Sequence, residues 1–299
     1  MFLRYCLILQ NHSCNTMTNL IIALKNLIQN PITDLNSFYQ GSNRANSMGD
    51  ALETYIKDIF CNSLHLSDTE KDKLYSQNFS YIGNQNNPPD IIIKGGDAIE
   101  VKKIESISSA IALNSSYPKS KLFRNDSRIT NACKECEGAV SWEQKDIIYI
   151  IGVAPKSTLK ALWFVYGDCY AAESEIYHRV ANKISQGISE ISGVELVATN
   201  ELAKVKKVDP LGITDLRVRG MWHIENPIKV FQHIASITEL HQLTVHTILL
   251  EEKYNTFPQS DREQLEQLQS EHFTIRNVAI RSPSNLARLL NVKLLSYTK

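Results

Sequence analysis

The chain has 299 residues, of which 43% are hydrophobic, and its 32 Lys and Arg balance its 32 Asp and Glu. A core of real size is therefore available, but a polyanion held by the overall field of the molecule is excluded, so any nucleic acid must be met by a local basic patch. No apolar run approaches a membrane span, and nothing is repetitive or disordered in composition.

The first apolar stretch, in MFLRYCLILQNH, is short, is broken by Arg4 and Tyr5, and is followed by no cleavage site. It does not read as a secretory signal, and six scattered cysteines fit a reducing cytoplasm. Residues 1–16 read as a spurious or disordered extension. Residues 17–299 read as one domain, because no Gly/Ser-rich linker divides them. From Met17, MTNLIIALKNLIQNP predicts a helix that stops before Pro31, since proline disfavours helical geometry in the residue preceding it. A second helix is expected over SMGDALETYIKDIFCNSL. There Ser47 and Asp50 have the spacing of a capping box, and Met48, Leu52, Tyr55, Ile56, Ile59 and Phe60 recur at helical intervals. PPDIIIKGGDAIEVKK, residues 88–103, then predicts two short strands joined at the glycines. A polar loop follows over about 114–137, then strands at DIIYIIGVA and LKALWFVYG and an amphipathic helix at ESEIYHRVANKISQGISEI. The last third alternates short apolar segments with a polar helix around SDREQLEQLQ. Strands and helices mix without a regular βαβ rhythm, which places the chain in the α/β class.

The hairpin carries acids on strands that the chain buries. Glu100 and Lys102 lie two apart and share a face, while Val101 points into the opposite layer. A two-residue turn at Gly95 and Gly96 would send Asp90 to the other face from Glu100. A three-residue loop of Lys94, Gly95 and Gly96, with a glycine in the left-handed position, sets Asp90 directly across from Glu100. That register, or a bulge with the same effect, is the one expected. Carboxylates about 4.5–5.5 Å apart at Cβ repel, so something cationic must stand between them. Lys102 is one candidate, and Mg²⁺, which needs few protein carboxylates and keeps several waters, is another. Such an ion acidifies water and stabilises charge on a phosphoryl oxygen, and Lys102 could orient the attacking water, especially with its pKa lowered by burial. The chemistry is phosphodiester hydrolysis. Glu53, one turn before Ile56 on the second helix, can reach the same face as a supporting group.

Pro89-Asp90 with Glu100-Val101-Lys102 resembles the PD-(D/E)xK nuclease signature. MGDALETYIKDIF, PPDIIIKGGDAIEVKKIES and LNSSYPKSKL resemble the type II restriction endonucleases of the NgoPII family, from about Thr18 to near the C-terminus. The resemblance implies a restriction-endonuclease-like core with a mixed central sheet flanked by helices, a homodimer, and Mg²⁺-dependent double-strand cleavage of DNA at a short GC-rich palindrome, GGCC in the founding member. It implies Asp90 and Glu100 as metal ligands, Lys102 as the catalytic lysine, and a DNA methyltransferase that protects the host. A structure-directed repair or junction nuclease of the same fold and a non-catalytic DNA-binding module are the alternatives.

Affinity for DNA requires phosphate contacts and specificity requires base contacts. SSYPKSKLFRNDSRITN supplies Lys119, Lys121, Arg124 and Arg128, with Asn114, Asn125 and Ser127 as neutral hydrogen-bonding groups, shortly after the catalytic strand. Arginine bidentate to guanine would read a GC-rich site. Arg217 and Arg219, which alternate on one strand face, are a second candidate for DNA contact, and an exposed sheet face is the reading favoured for them. Cys133 and Cys136 form CKEC without a second ligand pair, which favours a partly buried thiol pair over zinc.

Overall fold

The computed structural model describes residues 17–40, 47–84, 87–192, 195–197, 199, 201–237 and 241–299. The expected extension at residues 1–16 lies outside them. The central sheet is built from β1 (Phe79–Asn84), β2 (Asn87–Ile93), β3 (Ala98–Ile104), β4 (Gln144–Val153), β5 (Ala161–Tyr166), β6 (Thr244–Leu250), β7 (Phe273–Arg281) and β8 (Leu289–Thr298). Its strand order is β1-β2-β3-β4-β5-β6-β8-β7, with the short strand Lys121–Phe123 added along the start of β4. The β3/β4 and β5/β6 pairs are parallel and the others antiparallel, so the sheet is mixed. A parallel pair cannot be closed by a tight turn. The connection between β3 and β4 therefore runs from Glu105 to Glu143, and it brings the segment around 113–128 over the acidic hairpin.

Four main helices accompany the strands: α1 (Leu20–Gln29), α2 (Met48–Cys61), α3 (Asp68–Asn78) and α4 (Ser174–Ser189). Asn19 caps α1 by accepting the Ile22 N–H, and the Asn30 that follows the helix precedes Pro31, as the sequence predicts. The capping box at α2 forms: Ser47 Oγ accepts the Asp50 N–H at 3.2 Å and Asp50 returns a carboxylate oxygen to the Ser47 N–H at 3.0 Å. The buried stripe of α2, from Leu52 through Tyr55, Ile56, Ile59 and Phe60, packs on the sheet and on α1. Each such side chain contributes on the order of 1.5–3 kcal/mol by leaving water. Gly152 of β4 sets how close the helix comes, because a Cβ there would lie 2.6 Å from Leu52 Cδ2. Glu53 is carried one residue beyond that contact.

The far end of α2 holds a fully buried acid. Asp58 accepts hydrogen bonds from Tyr39 Oη at 2.7 Å and from Ser63 Oγ, Tyr75 Oη and Lys71 Nζ at 2.6 Å each, tying α2 to α3. A second ionic cluster closes one end of the sheet. Lys253 bridges Asp97 at 2.7 Å and Asp146 at 2.6 Å, Lys121 bridges Asp146 and Asp168, and Tyr166 Oη donates to Asp97 at 2.6 Å. Buried charges are tolerated when paired and hydrogen-bonded on this scale.

The remaining expectations for strands and helices hold, including β4, β5, β6 and α4. The apolar segment IKVFQHI supplies a short helical turn, Pro227–Val230, capped by the Asn226 side chain, and the expected polar loop over about 114–137 carries the strand Lys121–Phe123 and a helical turn, Asn131–Lys134. No helix among the described residues is long and apolar enough to cross a membrane.

Candidate active site

The β2/β3 hairpin adopts the three-residue loop. Ile93 donates to the Asp97 carbonyl at 2.9 Å, Ile92 faces Ala98 and Ile91 faces Ile99, which puts Asp90 next in line opposite Glu100. Gly95 takes the left-handed conformation the loop demands, with φ of 65°. Beyond Ile91 the ladder ends, since Pro89 has no N–H to give. Asp90 Oδ2 accepts the Val101 N–H at 2.6 Å in place of a ladder bond, which fixes the carboxylate over β3.

Lys102 Nζ lies 2.5 Å from Glu100 Oε1. Glu100 Oε2, by contrast, is buried with no hydrogen-bond partner among the described residues. Burial first, and then the neighbouring Glu100 charge, push the Asp90 carboxyl up to about 7. Burial pulls the Lys102 ammonium down, but Glu100 and Asp90 outweigh it and hold its pKa above the ordinary lysine value. The expectation of a lysine lowered by burial is therefore not met. Glu53 is close enough for its charge to act on both Asp90 and Lys102, yet its carboxylate pairs with Lys57 at 3.1 Å. Among the described residues no group of three or more His, Cys, Asp or Glu is placed to hold a metal. What the pocket offers is two carboxylates with one unpaired oxygen, a donor set that suits a hard, largely hydrated divalent cation better than zinc.

Asp90, Glu100 and Lys102 line a pocket of about 100 Å³ together with Asn84, Asn87, Tyr149 and the segment Leu113–Tyr117. Tyr149 faces Glu100 across the parallel β3/β4 pair, and its hydroxyl accepts the Lys119 N–H at 2.7 Å, anchoring the overlying loop. This pocket adjoins a cleft of about 900 Å³, with which it shares Ser115, Tyr117 and Arg128. The wall between them is a cluster of rings: Tyr117 stacks on Tyr177 at 5.4 Å, takes His178 edge-on at 4.9 Å, and neighbours Trp222.

The candidate DNA contacts separate by surroundings. Arg128, which also donates to Ser115 Oγ at 2.9 Å, stands at the junction of pocket and cleft, and exposed Asn125 lines the cleft. Lys119 borders the acidic pocket but is buried, paired with Asp126 at 2.6 Å and lying over the Tyr117 ring. The expectation that Lys121 meets phosphate is not supported by its surroundings, because its ammonium sits between Asp146 and Asp168. Arg124 turns toward the Lys134 carbonyl and Ser141 Oγ. Arg219 lines the cleft and pairs with Glu201, as does Arg217. Cys133 and Cys136 are free thiols, the first buried and the second half-buried. Sequence reasoning missed Tyr149, Asn84, Asn87, His178 and Asn182. For Tyr149 no local signal existed, since only the β3/β4 pairing brings it beside Glu100.

A rigid hairpin that holds two acids and a lysine beside an open cleft, in a mixed α/β fold, defines the kind of site that hydrolyses phosphodiesters. The family model of the NgoPII restriction endonuclease matches residues 18–281, and the chain belongs to that family. It is 48% identical over 280 residues to the type II restriction enzyme NgoPII of Neisseria gonorrhoeae, covering 93% of this chain and 99% of that relative. The protein is accordingly a type II site-specific deoxyribonuclease. No solved structure matches it.

Proposed function

We propose that residues 17–299 form a single restriction-endonuclease-like domain of PD-(D/E)xK type that cuts both DNA strands, with Mg²⁺, at a short GC-rich palindrome, GGCC. The enzyme acts as a homodimer in the cytoplasm beside a methyltransferase that protects the host DNA. The observation that carries this reading is the buried, unpaired Glu100 Oε2 opposite an Asp90 whose protonation is favoured by burial and by that same neighbour. Two acids side by side in one largely buried pocket call for a divalent cation, and the residues present fit one.

Asp90 and Glu100 would hold the ion. When bound, it supplies positive charge that lowers the pKa of water and offsets charge developing on the phosphoryl oxygens. The Val101 N–H keeps Asp90 oriented, so little rearrangement is needed for it to act. Lys102, whose ammonium lies 2.5 Å from Glu100 Oε1, would donate to the attacking water or to a non-bridging phosphate oxygen. Glu53 biases the charge of the pocket from α2 without displacing these groups. Arg128 and Asn125 stand where a duplex lying in the cleft would present its backbone and groove edges.

Digestion of unmethylated plasmid by the purified protein, with Mg²⁺ or with chelator, tests this. Discrete fragments whose ends all map to one GGCC-type palindrome are expected, and none from Asp90→Ala. Breaks at unrelated sequences, cutting without a divalent ion, or an active Asp90→Ala enzyme would overturn the reading.

A further inference from the structure

We propose that Ser116 binds the scissile phosphate, its hydroxyl donating a hydrogen bond to a non-bridging oxygen of the phosphodiester cut beside Asp90, Glu100 and Lys102; this rests on the reading of those three residues as the catalytic site. Two buried side-chain oxygens bordering the acidic pocket have no hydrogen-bond partner among the described residues, Glu100 Oε2 and Ser116 Oγ. The first is an acceptor and calls for a cation. The second carries a proton to give, and leaving a buried hydroxyl unpaired is costly.

The chain around Ser116 is held in place. Its N–H closes a turn onto the Leu113 carbonyl at 3.1 Å, around an Asn114 in the left-handed conformation with φ of 53°. Leu113 donates to the Trp222 carbonyl at 2.8 Å and Trp222 donates to the Asn114 carbonyl at 2.7 Å, which extends the pairing of Ile111–Ala112 with His223–Ile224. Three residues beyond Ser116, the Lys119 N–H is held by Tyr149 Oη. The unmade bond of Ser116 therefore belongs to a segment fastened on both sides, with a residue in a sparsely populated conformation, as is common where a loop holds a group for a ligand. The neighbouring serine is used differently. Ser115 Oγ accepts from Arg128 and Ser115 borders both pocket and cleft, whereas Ser116 borders the pocket alone.

The occupant is indicated by charge. Lys102 and Arg128 offset Asp90 and Glu100 around the pocket, and Asp126 offsets Lys119, so the lining is close to neutral by itself and positive with the divalent ion of the reading above. A hydroxyl donor in a positive pocket of about 100 Å³ that adjoins the cleft suits a single phosphate of the DNA backbone. It also meets the negative charge that grows on the phosphoryl oxygens during the reaction.

Single-turnover cleavage of a duplex containing the mapped site, by wild type and by Ser116→Ala, tests this, with the scissile phosphate natural or carrying sulfur at one or the other non-bridging oxygen. Ser116→Ala should cut the natural duplex roughly 10- to 100-fold more slowly. Sulfur is a weak acceptor, so one of the two thio-diastereomers should slow the wild type by a factor that shrinks in Ser116→Ala, while the other slows both proteins alike. Thermal melts without DNA give a readout independent of cleavage: Ser116→Ala should be as stable as the wild type or more so, because its hydroxyl has no partner in the fold to lose. An alanine variant that cuts at the wild-type rate, thio effects equal in the two proteins, or a variant that melts earlier overturns the assignment of Ser116 and leaves the catalytic trio standing. Cleavage that survives in Asp90→Ala overturns the trio, and this assignment with it.

Discussion

Replacing Asp90 by Asn should stabilise the ion-free protein while abolishing cleavage, and the size of the gain follows from the pocket. The Asp90 carboxyl is carried from 3.8 to about 7, chiefly by burial and then by Glu100. At about 1.4 kcal/mol per pH unit, keeping it ionised in the fold costs roughly 4 kcal/mol. Between those two values the folded protein holds a proton that the unfolded chain has released, so stability is greatest below about pH 4 for this group and is lost as pH rises through 7. Asparagine removes the charge and can still accept the Val101 N–H, but burying the amide returns part of the gain. A net increase of roughly 2 kcal/mol at pH 8 is expected, or a Tm higher by roughly 5 °C for a chain of this size. Denaturant melts of both proteins in chelator, from pH 4.5 to 8.5, measure it: the difference should grow with pH, pass through zero and reverse at the acid end, where only the cost of burying the amide remains. Added Mg²⁺ should stabilise the wild type at pH 8 and do much less for the variant. A less stable Asn variant at pH 8, or a difference that does not depend on pH, would refute the account of Asp90 as a destabilising, functional acid.

Three other perturbations separate chemistry, DNA contact and scaffold. Lys102→Ala should lower kcat by roughly 10²–10⁴ while leaving DNA affinity near that of the wild type, as read by single-turnover cleavage beside gel-shift titration. Arg128→Ala should weaken binding to duplexes with and without the target, and should reduce the slope of log K against log salt by roughly one if a phosphate contact is lost; an unchanged slope would place Arg128 at a base or off the DNA. Lys71→Met leaves Asp58 buried without its cation and should cost roughly 3–5 kcal/mol in chemical denaturation at neutral pH, with any surviving folded fraction cutting normally.

The sequence made the hairpin and its chemistry legible because both are local. Three residues of loop, a period of two along each strand and a proline without an N–H determine where Asp90, Glu100 and Lys102 point, and the observed register follows. The capping box of α2 was legible for the same reason, which is how Glu53 came to be placed near the site. Pairing across long separations was not legible. Tyr149 joins the pocket only through the parallel β3/β4 register, and Lys121 is withdrawn from solvent by Asp146 and Asp168, two acids that read as ordinary polar positions in the linear chain. A basic loop looks alike in sequence whether its lysines face DNA or one another's counter-charges; strand order decides.

Comparison of the buried acids then distinguishes scaffold from site without reference to any relative. Asp58 receives four donors on its two oxygens, and Asp97, Asp146 and Asp168 share two lysines and a tyrosine, so a hydrogen-bond or ion-pair donor reaches each of these carboxylates. Asp90 and Glu100 have one lysine and one backbone N–H between them, and no donor among the described residues reaches Glu100 Oε2. Among the described residues, Glu100 Oε2 is the one buried carboxylate oxygen that no donor reaches. That oxygen lies in the pocket that opens on the cleft, which is why the proposed ion is assigned to this pair of acids and not to the others.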